Sequence, residues 1–164
     1  MSRTRIETRA RARALQALYA WDMRQDPASD APGVTGPRNG ATGQGVAASD
    51  AQSLVQVAEH IWDDMRVTSE ERSLAGALVG TVASDCFAID AALAEVTTNW
   101  RLGRLGAIER SVLRLGAAEL HRGEVPTRVV IQEGVRLAER YGSAQSARFV
   151  NGVLDALARR MGKL

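Results

Sequence analysis

The chain has 164 residues, of which 45% are hydrophobic, 24% charged and 4% aromatic, with a formal net charge of +2. This composition is typical of a globular protein of one domain, or of two small subdomains that share a core. No apolar run approaches the roughly 18 residues of a membrane span, and no apolar run of a secretory signal follows the N-terminal arginines. The single cysteine, Cys86, cannot form an internal disulfide, so we expect a reducing, cytoplasmic location.

The charge is distributed unevenly along the chain. Residues 1–24 carry six arginines against two acidic residues, residues 25–100 have a net charge of −8, and residues 101–164 have a net charge of +6. Two basic ends around an acidic middle favour a polyanionic partner at the ends. Almost all of the positive charge is arginine rather than lysine. Either a polyanionic partner or GC-rich codon usage would produce this preference, so the arginine content alone does not decide between the two causes.

The first 24 residues predict an amphipathic helix that is dense in arginine. Apolar residues recur at helical spacing from Ile6 to Trp21. The arginines stand on the opposite side or at its flank: Arg5, Arg9, Arg11 and Arg13. Such a helix is typical of arginine-rich RNA-binding segments, which often become ordered only on contact with RNA. The alternative is a solvated, frayed helix face without a partner.

Residues 25–52 differ in character from the rest of the chain. Three of the four prolines and a run of glycines fall here, with no aromatic residue and no helical periodicity. This composition cannot bury enough apolar surface to offset the entropy lost on ordering. We therefore predict a flexible insert between the first two helices.

The remaining chain predicts further helices and no sheet. Helical patterns occupy residues 53–66, 70 to about 97, 105–122, 126–141 and 143 onward. Thr68 and Glu71 are predicted to form a capping box at the start of the second of these helices. Gly142 suits the C-terminal cap of the fourth, and Ser143 suits the N-cap of the fifth. The helix from Leu105 is apolar on two sides, which places it in the middle of a bundle. The strand-like run Val129–Ile131 is read as helix from its surroundings. We predict an all-α bundle of about six or seven helices, with two three-helix subdomains as a plausible division.

No pattern in the chain indicates catalysis, a metal or a cofactor. His60, His121 and Cys86 stand apart with no ligand spacing, and no nucleophile motif is present. In the last predicted helix, Gly152 is expected at a close helix approach, with the Asn151 amide bonded to a neighbouring backbone group. Phe149 is expected to pack in the core, with an exposed stacking platform as the alternative.

Several motifs together resemble the NusB family of transcription antitermination factors. They are, in chain order, Arg9-Ala10-Arg11, Gln16-Ala17-Leu18-Tyr19-Ala20-Trp21, Ile108-Glu109-Arg110, Leu113-Arg114-Leu115, Glu119-Leu120, Val125-Pro126, Glu133 and Phe149-Val150-Asn151-Gly152-Val153-Leu154-Asp155. The resemblance spans nearly the whole chain except residues 25–52. Glu7 and Thr8 stand where family members often have more arginines, so the basic segment is rearranged. Further departures from the family pattern occur at Ala118, Gln132 and Gln145.

The resemblance implies an all-α domain over residues 1–164, with a helical subdomain to about residue 100 and a three-helix subdomain from 101. It also implies a non-catalytic role. Members bind the boxA element of nascent ribosomal RNA together with a small-subunit ribosomal protein, NusE, and load an antitermination complex on RNA polymerase. The RNA-contacting residues implied by family position are Arg9 and Arg11, with Arg5 and Arg13 as neighbours, and Tyr19, Glu109 and Phe149. NusE is expected on the C-terminal helices.

An alternative keeps the fold but changes the role. The same fold could serve as a protein-binding helical module in ribosome assembly or regulation, in which case the arginines would matter little. Some ribosomal RNA cytosine methyltransferases also begin with this domain. This chain shows no nucleotide-binding βαβ pattern, so we expect no methyltransferase activity.

Overall fold

The structure, a computed structural model, describes residues 3–25 and 48–164. Helices cover most of these residues, and none of them lies in a β-strand. The elements in chain order are α1 (Arg3–Gln25), α2 (Ala48–Asp64), α3 (Ser69–Val96), a 3₁₀ helix (Leu102–Arg104), α4 (Ala107–Arg122), α5 (Thr127–Tyr141) and α6 (Ala144–Arg160). The predicted all-α fold is confirmed.

The helices form two groups of three around one hydrophobic core. Helices α1, α2 and α3 pack against one another, as do α4, α5 and α6. The groups meet where α4 packs on α1 and α3, and the buried apolar side chains of both groups form one cluster. A helix can bury its apolar stripe only against another element, and here each group supplies part of the cover for the other.

The predicted insert at residues 25–52 is too long at both ends. Gln25 belongs to α1, and α2 begins at Ala48 rather than at residue 53. Asp50 lies in the first turn of α2, where a carboxylate interacts favourably with the positive end of the helix dipole. The rest of this prediction, over residues 26–47, lies outside the described residues.

Local capping signals fix several other boundaries where the sequence predicts them. The Thr68 hydroxyl accepts a hydrogen bond from the backbone N–H of Glu71 at 3.2 Å and starts α3. The Glu71 side chain does not complete the predicted capping box; it is buried beside Arg9. Gly142 ends α5, and Ser143 starts α6 through a reciprocal pair of hydrogen bonds with Ser146.

Helix α4 is the centre of the bundle, as its two apolar stripes predict. Every residue from 111 to 120 is buried, and the helix contacts α1, α3, α5 and α6. Gly116 on α4 and Gly134 on α5 allow this close packing. A Cβ atom at either position would lie less than 3 Å from a methyl group of Leu154.

The glycine that was predicted at a close helix approach, Gly152, is therefore not one of these two. Gly152 is exposed, and a Cβ atom there would meet nothing within 4 Å. Asn151 is also exposed, and its side chain makes no hydrogen bond within the described part of the chain. The predicted structural role of this pair in α6 is wrong, because no neighbouring helix comes close to Gly152 and no backbone group holds the Asn151 amide.

Helix α3 is more exposed than its sequence indicates. Its buried stripe runs from Ala75 to Leu93, whereas the apolar residues Leu74 and Phe87 face outward, with Phe87 61% exposed. One 18-residue window of α3 reaches a mean hydropathy of 1.5, so the helix is long and apolar enough to cross a membrane by length and composition alone. Its packing against α1, α2 and α4 accounts for this apolar character in a core helix.

Candidate nucleic-acid interface

One face of α1 presents arginines at intervals of four residues. Arg5 and Arg9 are exposed, and Arg13 is half-buried, with its Nη1 donating to Gln16 Oε1 at 3.2 Å. Arg9 Nη1 also lies 3.4 Å from the buried carboxylate of Glu71 on α3. Arg3 continues the exposed charge toward the N-terminus. Four guanidinium groups within about three helical turns form a surface of the kind that binds phosphates.

Arg11 does not belong to this surface. Its guanidinium is buried and donates to Glu119 Oε1 and Oε2 at 2.7 to 3.0 Å, with Glu133 Oε2 at 3.9 Å. Burial by itself lowers the pKa of Arg11, but the hydrogen bond and charge of Glu119 outweigh this effect and raise it. The expectation that Arg11 contacts RNA is corrected, because the side chain is already occupied inside the protein.

A second candidate site is a cleft between the 3₁₀ helix and the start of α6. It has a volume of about 450 Å³, and its lining includes Trp100, Arg104, Glu109, Ser146 and Phe149. The rings of Trp100 and Phe149 meet edge to face, with centroids 6.2 Å apart and planes inclined by 70°. The Ser146 hydroxyl donates a hydrogen bond to Glu109 Oε1. Aromatic faces, a carboxylate and a cation together suit a planar polar ligand.

Comparison with known proteins identifies the group to which this architecture belongs. The NusB family model matches residues 8–159. The chain belongs to the NusB family. It is 45% identical over 113 residues to "Transcription antitermination protein NusB" of Sorangium cellulosum (strain So ce56). The aligned stretch covers 68% of this chain and 81% of the relative.

Solved NusB structures share this fold. T. maritima NusB superposes with a TM-score of 0.72 at 27% identity, over 93% of this chain and 90% of that one. A structure of antitermination factors NusB and NusE in complex with double-stranded RNA gives a TM-score of 0.68 at 27% identity, over 95% and 98% of the two chains. The likeness extends over both three-helix subdomains of the NusB fold.

In this NusB-family chain, the expected site residues fall into separate places. Arg5, Arg9 and Arg13 share one face of α1, whereas Glu109 and Phe149 share the cleft. Tyr19 is half-buried on α1 and does not line the cleft. The structure thus brings together residues that are 40 positions apart in sequence, and it separates Arg11 from its neighbours on α1.

Sequence reasoning missed Trp100 and Arg104 as site residues. Trp100 is 59% exposed, whereas the other two tryptophans, Trp21 and Trp62, are buried. Arg104 ends the 3₁₀ helix and lines the same cleft. The available signal was a large aromatic residue in a short polar connection rich in arginine, where no helix face exists to bury it.

Buried ion pairs position both sites of this NusB-family protein. Arg110 on α4 donates to both oxygens of Asp22 on α1 at 3.0 and 2.5 Å, and its Nη1 donates to the carbonyls of Leu102 and Leu105 at 3.2 and 3.0 Å. One guanidinium therefore joins α1, α4 and the 3₁₀ segment of the cleft. The Leu105 carbonyl gains a donor in this way, and the Leu102 carbonyl gains a second donor beside the backbone N–H of Leu105.

A neighbouring arginine extends the network to α3. Arg114 donates through Nε and Nη2 to Asp90 at 2.8 Å each, and through Nη1 to Asp22 at 3.1 Å. Burial lowers the pKa of Arg114, but the hydrogen bond and charge of Asp90 raise it overall. Arg110 and Arg114 together link α1, α3 and α4 through Asp22 and Asp90.

The thiol of Cys86 lies beside this network. It is buried, and burial together with the negative charge of Asp90 raises its pKa from 9.0 to about 11. A thiol must ionise to attack or to bind a metal, so the raised pKa disfavours both near neutral pH. Among the described residues, no group of three or more His, Cys, Asp or Glu side chains is arranged to hold a metal ion.

Proposed function

We propose that this protein is a non-catalytic transcription antitermination factor that binds boxA-type RNA together with NusE. The observation that carries the proposal is the line of exposed arginines on α1, in a chain of the NusB family. The similarity to a NusB structure in complex with NusE and double-stranded RNA supports both partners. The complex would act on RNA polymerase to promote processive transcription of ribosomal RNA, in the cytoplasm where bacterial transcripts are made.

The arginine surface would supply most of the affinity for the RNA backbone. Arg5 and Arg9 are the principal phosphate contacts, and Arg13 joins them from its half-buried position. Each contact releases a counterion, so binding falls steeply with salt, by about 0.7 log units of affinity per log unit of salt for each phosphate contact on a single strand. Arg11 contributes indirectly, because its bond to Glu119 fixes the helix that carries the others.

NusE would bind the open face of α5 and α6. A groove between these helices is lined by Arg128, Ile131, Val135, Asn151 and Asp155, among others. Asn151 and Gly152 have no packing role in the described fold, although Gly in a helix interior costs about 1 kcal/mol relative to Ala. An exposed polar residue beside an unneeded glycine is explained if a partner approaches closely there.

The test measures binding of a fluorescently labelled boxA-like RNA and of a scrambled RNA, with and without NusE, at two salt concentrations. We expect tighter binding of the boxA-like sequence, a further gain with NusE, and a loss when Arg5 and Arg9 are replaced by Ala. Equal affinity for both sequences in the presence of NusE would overturn the RNA role. Retention of NusE binding alone would then favour a protein-binding module.

A further inference from the structure

A buried carboxylate on α5 holds the arginine-bearing end of α1. Every described residue of α1 before Ala10 is exposed or half-buried, so the fully buried part of the helix begins more than one turn beyond Arg5. Within this stretch the Thr8 hydroxyl donates to Glu133 Oε2 at 3.0 Å. A helix end with few buried contacts opens locally more easily than the core does. The bond from Thr8 to Glu133 therefore affects how firmly the exposed arginines are placed.

The buried charges around Glu133 balance only when a more exposed arginine is counted. Glu119 and Glu133 are both buried, and the buried cation beside them is Arg11, whose Nη1 lies 3.9 Å from Glu133 Oε2. Arg136, one turn after Glu133 on α5, supplies a second cation and donates through Nη1 to Glu133 Oε1 at 2.8 Å. Because an unpaired buried carboxylate is costly, the position of Glu133 depends on Arg136.

Arg136 links this cluster to the groove between α5 and α6. Its side chain is 57% exposed and lines the groove together with Ile131 and Asp155. An ion pair to such a side chain is weak, because water screens the charges and the long side chain keeps its rotamer freedom. An occupant of the groove that covers the Arg136 guanidinium reduces both effects, and Glu133 is then held more firmly.

We propose that Glu133 is a positioning residue for RNA binding: it fixes the arginine-bearing end of α1 through Thr8, and Arg136 makes this hold respond to the partner in the α5–α6 groove. The inference rests on the proposed function, in which NusE occupies the groove and RNA binds the α1 arginines. It gives Thr8 and Glu133 an effect on RNA affinity without contact with the RNA. By linkage, RNA bound at α1 strengthens NusE binding through this route by the same factor.

Hydrogen exchange of the free protein tests the hold of Glu133 on Thr8. The informative amides are those of residues 7–11, whose N–H groups bond to the carbonyls of the first helical residues. Thr8→Val should speed their exchange roughly 2- to 10-fold, the range for the net loss of one hydrogen bond. Thr8→Ser keeps the hydroxyl and should restore the protection, and exchange in α6 should not change.

The matched control is Thr4→Val, the same replacement on the same end of α1. Thr4 is exposed and makes no hydrogen bond to another helix within the described part of the chain. Exchange at residues 7–11 should therefore equal that of the unmodified protein. Circular dichroism checks that each variant is folded.

NusE without RNA tests the link to the groove. At saturating NusE, exchange at residues 7–11 should slow in the unmodified protein and should not slow in Thr8→Val or Arg136→Gln. The control here is Arg140→Gln, which removes an exposed charge farther along α5 that does not line the groove. This variant should respond to NusE as the unmodified protein does.

Labelled boxA-like RNA gives the functional readout. Thr8→Val should weaken binding roughly 2- to 10-fold, although the arginines of α1 are intact. The dependence on salt should stay the same, because the number of phosphate contacts does not change. Adding Arg136→Gln to Thr8→Val should weaken RNA binding no further in the absence of NusE, because both replacements act through Glu133.

The outcomes separate this inference from the proposed function. If Thr8→Val changes neither exchange nor RNA affinity while Arg5→Ala and Arg9→Ala weaken RNA binding, the positioning role is overturned and the proposed function stands. If NusE slows exchange equally in Arg136→Gln and the unmodified protein, the link to the groove is overturned. If the unmodified chain discriminates no RNA even with NusE, the proposed function is overturned and the inference falls with it.

Discussion

Arg9 and Arg11 stand two residues apart on α1, yet the fold uses them in opposite ways. The Arg9 side chain is 52% exposed at the edge of α3, whereas that of Arg11 is 4% exposed and held by Glu119. The same contrast recurs near the cleft, where Arg104 is exposed and Arg110 is buried against Asp22. An arginine-rich segment therefore combines two roles. Both arginines contact a buried carboxylate, Glu71 for Arg9 and Glu119 for Arg11, so the role depends on whether neighbouring helices cover the guanidinium itself.

The largest expected effect is on stability and comes from replacing the buried arginine, Arg11. Arg11→Ala leaves Glu119 and Glu133 as buried carboxylates without their shared cation, which should lower the free energy of unfolding by about 3–5 kcal/mol. Urea denaturation followed by circular dichroism measures this loss. The exposed Arg5→Ala should change the free energy of unfolding by less than about 0.5 kcal/mol.

A double replacement sharpens the same test. Arg11→Met with Glu119→Leu removes both charges of the closest pair, and buried pairs replaced by packed apolar residues are often neutral in stability. We expect the double variant to be more stable than Arg11→Ala alone. If Arg11→Ala unfolds at nearly the same urea concentration as the unmodified protein, the structural role of Arg11 is wrong.

Replacing the exposed arginines Arg5 and Arg9 should have an intermediate effect, on RNA affinity rather than on stability. Arg5→Ala and Arg9→Ala should each remove about one phosphate contact and lower the slope of log affinity against log salt by about 0.7. Salt titrations with labelled boxA-like RNA measure that slope. Arg128→Ala, an exposed arginine of the α5–α6 groove, serves as the control and should leave the slope unchanged in the absence of NusE. Equal slopes for all three variants would contradict the assignment of the α1 surface.

The smallest effect concerns the thiol beside the buried network. The pKa of Cys86 is about 11 in the folded protein against 9.0 for the ordinary group. Between these values the unfolded chain loses its thiol proton and the folded protein keeps it, so stability falls as pH rises from about 9 to about 11. Below pH 9 the thiol is protonated in both states and contributes no pH dependence.

Urea denaturation at several alkaline pH values checks this prediction, with Cys86→Ala as the control for other groups that titrate there. The decline in stability should be shallower in the variant. Alkylation of Cys86 in the folded protein should also be slow at pH 8 and faster as pH approaches 11. Rapid alkylation at pH 8 without unfolding would show that the thiol is neither buried nor protonated.

The sequence by itself determined the helices and the family of this protein. Apolar periodicity and caps act between residues a few positions apart, so Thr68, Gly142 and Ser143 mark boundaries that the structure confirms. The two apolar stripes of α4 likewise predicted its central place. The motif from Phe149 to Asp155, with the others, placed the chain in the NusB family, which the match over residues 8–159 confirms.

The tertiary structure alone decided which polar and aromatic residues are available at the surface. Arg11 is buried because Glu119, 108 positions later, lies opposite it, and no local pattern encodes that pairing. Gly152 faces solvent whereas Gly116 and Gly134 face Leu154, although all three are glycines within helices. Local periodicity gives the spacing of a helix face, but burial depends on which distant segment packs against that face, and this is set only when the whole core forms.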